Sequence, residues 1–342
     1  MVRIGVGFFA FLATLAAACA EPAPTMDGRR GSEAPQNSAP STKDEAGQPT
    51  VQAEQDQQEE DMIVDPVLPA VDAGTPTTAE QRNRGNSAGC GKASGTGLQT
   101  RMMTVAGKTR RYLRFIPPTY DPAKPLSLVV GLHGSCKREG ALACATAMRE
   151  TMGLEAKAAG NAVFIYPQAL DSAEGGEVSF RWDTKMDSED FAFFDMLVSQ
   201  AEENLCIDKD KLFVSGFSLG ARFTSMLGCY RGDTIRAIAP LAPGMNAATL
   251  PLAAGPCKGE VAVWEALGDQ DAEHREGSLL VRDYYRTMNG CSATLKATTP
   301  AGCQAYEGCR TAVPVTWCTS AGGHTWPTIG ANGVWKFFAG FQ

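Results

Sequence analysis

Beyond residue 87 the chain alternates between two hydrophobic rhythms, one suited to strands and one to helices. Leu98 to Val105 and Thr109 to Phe115 read as strands joined by Ala106-Gly107. This predicts an antiparallel hairpin at a sheet edge, closed off by Pro117-Pro118. Leu126 to Leu132 is a short, unbroken apolar run, the pattern of a strand buried on both faces. An Ala-rich stretch from Gly140 to Ala158 predicts a helix, and Ala162 to Tyr166 a strand that stops at Pro167. Phe191 to Asn204 is apolar at helical period. Leu212 to Ser215 predicts a strand, followed by a helix from Leu219 to Cys229. Ile235 to Ala242 and Val261 to Leu267 predict strands, Ser278 to Met288 a helix, Val313 to Cys318 a last strand and Val334 to Phe341 a closing helix. Such alternation predicts an α/β fold, with a mostly parallel central sheet and helices on both faces.

Residues 20–86 follow a different pattern. They are rich in Pro, Gln, Glu, Ala, Ser and Thr and contain no aromatic residue. A segment of this kind cannot bury enough apolar surface to offset its ordering entropy, which predicts a disordered linker. Ahead of it, Arg3 precedes an uncharged apolar run from Ile4 to Ala18, shorter than the ~20 residues of a spanning helix and suited to a signal segment. The run ends in Leu15-Ala16-Ala17-Ala18-Cys19. This resembles the lipobox of bacterial lipoproteins, in which the cysteine is lipidated, while Ala18-Cys19-Ala20 also fits an ordinary A-x-A cleavage site. The expected organisation is a signal segment at 1–19, a linker at 20–86 and a domain at 87–342. The expected location is extracellular or at the cell surface, with membrane contact only through a lipid at Cys19.

Composition narrows the function classes. Hydrophobic residues make up 44% of the chain, enough for an ordinary core and too few for a multi-span membrane protein. The formal net charge of -7 belongs to the stretch from Glu21 to Arg84; beyond it, acids and bases are equal in number. Without a basic surplus to neutralise phosphates, nucleic acid is not an expected partner. Of 11 cysteines, setting Cys19 aside leaves an even set, which in an exported chain predicts disulfides throughout. Short intervening loops suggest Cys136–Cys144 and Cys303–Cys309.

The candidate chemistry centres on Gly216-Phe217-Ser218-Leu219-Gly220, which follows a predicted buried strand and opens a predicted helix. A sharp strand–turn–helix needs small residues on each side of the serine, and it lifts the hydroxyl clear of the sheet. Ser218 is the expected nucleophile. Its base must be one of three histidines, His133, His274 and His324. On a strand–turn–helix site of this type the order is serine, acid, histidine, which excludes His133, and His274 leaves few acids between itself and the serine. His324, after Gly322-Gly323 and just beyond the last strand, is the expected base. The acid should lie on the loop after Val261 to Leu267. Asp271 is best placed there, with Asp269 and Glu265 as the other candidates. Oxyanion donors are expected from the backbone N–H groups of Leu219 and of Ser135, in Gly131-Leu132-His133-Gly134-Ser135, with His133 a structural residue of that loop. Trp182 and Trp326 are candidate walls of a substrate pocket. Asp190 reads as a helix N-cap. Three scattered histidines without an H-E-x-x-H string predict neither a metal nor a cofactor.

The stretch from Cys90 to Phe341 resembles the secreted esterases grouped with feruloyl esterases and polyhydroxybutyrate depolymerases. The resemblance is carried by Gly89-Cys90-Gly91, Leu132-His133-Gly134, Cys206-Ile207-Asp208, the Gly216–Gly220 string, Asn289-Gly290-Cys291, Gly322-Gly323-His324-Thr325-Trp326-Pro327 and Trp335-Lys336-Phe337-Phe338. It implies an α/β-hydrolase fold and ester hydrolysis by Ser218, His324 and an acid. Relatives carry H-G-T-x-D around the acid; here the string is Leu267-Gly268-Asp269-Gln270-Asp271, and that register points to Asp271. The Cys-rich ends are most similar to feruloyl-type members, which implies plant cell-wall esters as substrates, with polyesters as the alternative. A polymer-binding surface lipoprotein on the same fold is the non-enzymatic alternative.

Overall fold

A computed structural model describes residues 84–172, 179–246, 250 and 257–341. The predicted signal segment, Cys19 and nearly all of the predicted linker lie outside the described residues. Arg84 to Asn86, placed by the sequence in the linker, are bonded into the domain: the Arg84 N–H donates to the Asp210 carboxylate, its guanidinium donates to the Lys209 and Thr234 carbonyls, and Asn86 bridges to Asp208.

The elements in chain order are β1 (Gly97–Val105), β2 (Lys108–Ile116), β3 (Leu126–Leu132), α1 (Ala143–Met152), α2 (Leu154–Ala158), β4 (Ala162–Pro167), β5 (Asp171–Ser172), β6 (Ser179–Phe180), α3 (Glu189–Asn204), β7 (Ile207–Phe217), α4 (Leu219–Tyr230), β8 (Ala237–Leu241), β9 (Ala262–Gly268), α5 (Ala272–Met288), β10 (Leu295–Thr298), β11 (Cys303–Tyr306), β12 (Val315–Ser320) and α6 (Gly330–Ala339). The single helix predicted over 140–158 is two, because Gly153 takes the left-handed conformation (φ 60°) and caps α1 with its N–H on the Arg149 carbonyl.

Ten strands form one sheet in the order β1-β2-β4-β3-β7-β8-β9-β12-β11-β10. From β4 to β12 every neighbouring pair is parallel. The β1–β2 hairpin borders one edge and β11–β10 the other, both antiparallel. The central strands are buried on both faces, as their unbroken apolar runs require. Val130, Ile165, Val214, Ile238 and Val263 meet α3, α4 and α5 on one face. Val129, Phe164, Phe213, Ala239 and Trp264 meet α1, α2 and α6 on the other.

Sequence order along the sheet reverses between β3 and β7, since β3 is followed by β4 on one side and the chain then crosses back to β7 on the other. A ligand crevice belongs outside the carboxyl ends of the strands at such a switch point.

Five disulfides join Cys90–Cys206, Cys136–Cys144, Cys229–Cys257, Cys291–Cys309 and Cys303–Cys318. The expected Cys136–Cys144 pair is present; the expected Cys303–Cys309 pair is not. Cys303 stands directly opposite Cys318 in the β11–β12 ladder, with Cα atoms 4.0 Å apart, and the extended β11 strand carries Cys309 away to Cys291.

Glu265 in β9 is fully buried, and neither carboxyl oxygen has a hydrogen-bond partner. Burial pushes its pKa well above the ordinary range against the weaker pull of Arg282, so the acid stays neutral in the folded chain. The unfolded chain ionises Glu265 in the usual acidic range. Between there and the folded-state pKa it has released a proton that the folded state keeps, and stability falls as pH rises. Glu265→Gln should remove that fall, so urea unfolding at pH 5 and pH 8 should show a smaller loss in the variant than in the parent.

Candidate active site

Four carboxyl-terminal strand ends build the site. β7 ends in the Gly216–Gly220 turn and β3, its parallel neighbour, in Leu132-His133-Gly134, with Leu132 in register with Gly216. The two ends meet backbone to backbone. A Cβ on Gly220 would lie 2.2 Å from the Leu132 carbonyl oxygen, and one on Gly216 would lie 2.4 Å from that of Gly220. Glycine at these two positions is therefore a steric necessity. The turn is tight enough to hold Ser218 at φ 55°, ψ -121°, a strained region for a residue with a side chain. The Ser218 N–H is anchored on the Leu241 carbonyl of β8 (3.0 Å), and its carbonyl accepts the Arg222 N–H of α4 (3.0 Å).

β9 and β12 run in parallel and end together, Gly268 beside Ser320. The loops that leave them are bonded to each other: the Gly322 N–H donates to Asp269 Oδ1 (3.1 Å) and the Gln270 N–H to the Gly322 carbonyl (2.9 Å). That pairing delivers Asp271 and His324 to one place. His324 Nε2 lies 2.9 Å from Ser218 Oγ, and His324 Nδ1 lies 2.7 Å from Asp271 Oδ2. Asp269, the other acid the sequence offered, clamps the His324 loop and does not face the imidazole. Glu265 is buried within the sheet.

Asp271 is 3% exposed and caps α5, accepting the His274 N–H (3.3 Å). The residue that sequence reasoning set aside is His274, whose Nδ1 lies 2.8 Å from Asp271 Oδ1. The carboxylate thus faces two imidazoles, one on each oxygen. Burial pushes its pKa up, but the hydrogen bonds from His324 and His274 outweigh burial and hold the carboxyl below its usual range. The two rings stack, centroids 3.7 Å apart at 11°, and Phe217 packs on His324 at 4.8 Å. The signal for His274 was its spacing: three residues after a helix N-cap, a side chain reaches back over the cap.

His133 is a clamp. Its Nδ1 lies 2.6 Å from the Gly134 carbonyl and its Nε2 accepts the Ala169 N–H (3.1 Å), which fixes the proton on Nδ1. Burial lowers its pKa to about 4, so the ring is neutral near pH 7. Trp182, a candidate pocket wall, is instead 4% exposed: its indole N–H donates to the His133 carbonyl (2.7 Å) and its ring stacks on Phe223. It supports the loop from behind, because α4 and its neighbouring helix α3 enclose it. Trp326 packs near Phe217 and Gly330 and does not line the cavity at Ser218. Asp190 is not the cap of α3, a position held by Ser188; it forms a buried ion pair with Arg110 and accepts the Asp183 N–H.

A cavity of about 350 Å³ opens beside Ser218 and His324. Its walls come from Ala147 and Met148 of α1, Phe217, Arg138 and the Cys136–Cys144 disulfide, with Ser135 on the rim. Helix α1 is the contribution sequence reasoning missed, since its apolar residues read as core. The Leu219 N–H, at the first position of α4, belongs to the donors that a helix leaves without an internal partner.

No protein-family model matches the chain. Feruloyl esterase C of Emericella nidulans is 28% identical over 288 residues, covering 80% of this chain and 96% of that protein. Feruloyl esterase D of Neurospora crassa is 27% identical over 299 residues, covering 80% and 94%. Among solved structures, an acetyl xylan esterase from Aspergillus awamori superposes with a TM-score of 0.50 at 15% identity, over 72% of this chain and all of that one. The chain is similar to feruloyl esterases over most of its length, and its fold is the α/β-hydrolase fold.

The backbone strain at Ser218 is separable from any chemistry. Ser218→Gly should raise stability by ~1 kcal/mol, the relieved strain less the added freedom of the unfolded chain. Ser218→Ala should not, and thermal unfolding of the two variants distinguishes them.

Proposed function

We propose that this chain is an exported serine carboxylesterase acting on plant cell-wall esters of the feruloyl type. The observation that carries this reading is the single imidazole bonded to both Ser218 Oγ and Asp271. A serine hydroxyl is a weak nucleophile unless a base takes its proton as it attacks, and His324 Nε2 is within reach to do so. Asp271 holds the proton on Nδ1 and balances the charge of the imidazolium without taking the proton itself.

In this mechanism Ser218 Oγ bonds to the ester carbonyl carbon while its proton passes to His324 Nε2. The carbonyl oxygen becomes an oxyanion held by the N–H groups of Leu219 and Ser135. Collapse of the tetrahedral species breaks the bond to the alcohol, which leaves with the proton from His324. Water, deprotonated by the same imidazole, then attacks the acyl-enzyme and releases the acid. The apolar wall of Ala147, Met148 and Phe217 suits an aromatic acyl group, and the near full-length likeness to feruloyl esterases supports that substrate class over polyesters. Export is supported by the five disulfides and by the apolar run before Cys19.

Ser218→Ala and His324→Ala should each lose turnover by a factor on the order of 10⁶, and Ser218→Ala should lose labelling by a fluorophosphonate probe. A Ser218→Ala protein that cleaves p-nitrophenyl acetate at the parent rate would overturn the reading. In a parallel comparison, methyl ferulate should be cleaved faster than acetylated xylan or polyhydroxybutyrate; the reverse order would reassign the substrate. Lipidation at Cys19 predicts that cells fed labelled palmitate incorporate it into the parent chain and not into Cys19→Ser.

A further inference from the structure

The three histidines are far apart in sequence, yet two of them converge on one carboxylate. Asp271 Oδ1, Asp271 Oδ2 and the Nδ1 atoms of His274 and His324 form a compact set, with one donor atom from each residue lying within 4.8 Å of the others. The ring centroids lie 3.7 Å apart, so both imidazoles are near enough to reach one ion with metal–nitrogen bonds of about 2.1 Å after a modest side-chain shift. Two imidazoles and one carboxylate form a donor set that suits zinc and disfavours magnesium or calcium, which require oxygen ligands. The carboxylate is buried, while the His324 side chain is 31% exposed and lines the cavity beside Ser218. The ring planes are nearly parallel. Their lone pairs converge on one point only if a ring turns about its Cβ–Cγ bond, a soft rotation for histidine.

We propose that Asp271, His274 and His324 bind a zinc ion, and that the occupied site is catalytically silent. The silence rests on the esterase reading above and follows from proton bookkeeping at His324. In the free chain Nδ1 carries the ring proton and Nε2 offers its lone pair to Ser218. Zinc takes the Nδ1 lone pair, so that proton must move through solvent to Nε2. No net proton is gained or lost, but Nε2 now presents an N–H to the serine and cannot accept its proton. His274 undergoes the same exchange of tautomer. The site would make hydrolysis responsive to free zinc in the medium, with His274, which has no place in the acyl-transfer steps, as the residue that confers the response.

Among the described residues, the other histidine and the cysteines are not available to the ion. His133 has both ring nitrogens occupied inside the loop, and all ten cysteines of the described domain are in disulfides. The experiment titrates zinc chloride against hydrolysis of p-nitrophenyl acetate by the full chain, with magnesium chloride as the hard-ion arm and EDTA for reversal. Zinc should inhibit reversibly and magnesium should not. His274→Gln keeps a donor near Asp271 but removes a good zinc ligand, and should raise the half-inhibiting zinc concentration about tenfold or more relative to the parent. Calorimetry reads binding without turnover: Ser218→Ala should take up one zinc per chain, and adding His274→Gln or His324→Gln should abolish that uptake. Equal zinc sensitivity in parent and His274→Gln, equal inhibition by magnesium, or zinc uptake that survives both histidine changes would overturn the proposal. If the chain cleaves no ester, the esterase reading fails while the calorimetric arm still decides the ion site.

Discussion

The site depends on the contact between two backbones, where the turn after β7 presses against the end of β3. Gly216 and Gly220 exist because no side chain fits there, and their absence of bulk lets α4 begin within one residue of the sheet. That proximity forces Ser218 into an unfavourable backbone conformation, which the Leu241 carbonyl and the first turn of α4 hold in place. The same contact fixes Leu132 to Ser135, with His133 and Trp182 locking the loop from the rear. A strained serine and a rigid neighbouring loop thus have one cause.

The second half of the site rests on register. Because β9 and β12 end level with each other, two loops that share hydrogen bonds leave the sheet side by side, and one brings an acid while the other brings an imidazole. The acid is more heavily committed than a simple relay needs, with both oxygens on imidazoles and one also accepting the Asp271–His274 cap bond. Each carboxylate oxygen thus has its own ring partner, which sets the resting orientation of Asp271 and, through it, of His324.

How much of this was legible depended on where each constraint is recorded. Strands buried on both faces announce themselves as unbroken apolar runs, so the central strands were readable, although β7 extends to Ile207 through charged, half-buried residues that the expected strand at Leu212 to Ser215 left out. β10 is exposed at every position and β11 is mixed, so neither carries a pattern. The first turns of α5 are charged and face solvent, which hid its start at Ala272 until the apolar period began near Ser278. α6 opens with Gly-Ala-Asn-Gly, in which the two glycines and the asparagine are poor helix formers, and Gly333 must approach Trp264 so closely that a Cβ would lie 2.3 Å from the ring. The elbow was legible because steric necessity is written in residue identity. The roles of Trp182 and His274 and the partner of Cys303 were not, because each is decided by which elements pack together across long stretches of chain.

The attachment of Arg84 to Cys90 has a consequence for orientation. These residues are fastened to Leu205, Cys206, Ile207 and Lys209, at the amino-terminal end of β7, whereas Ser218 follows its carboxyl-terminal end. The strand between them spans on the order of 30 Å. The chain therefore enters the domain on the pole opposite the cavity. Arg84 to Cys90 thus take no part in the walls of the cavity beside Ser218.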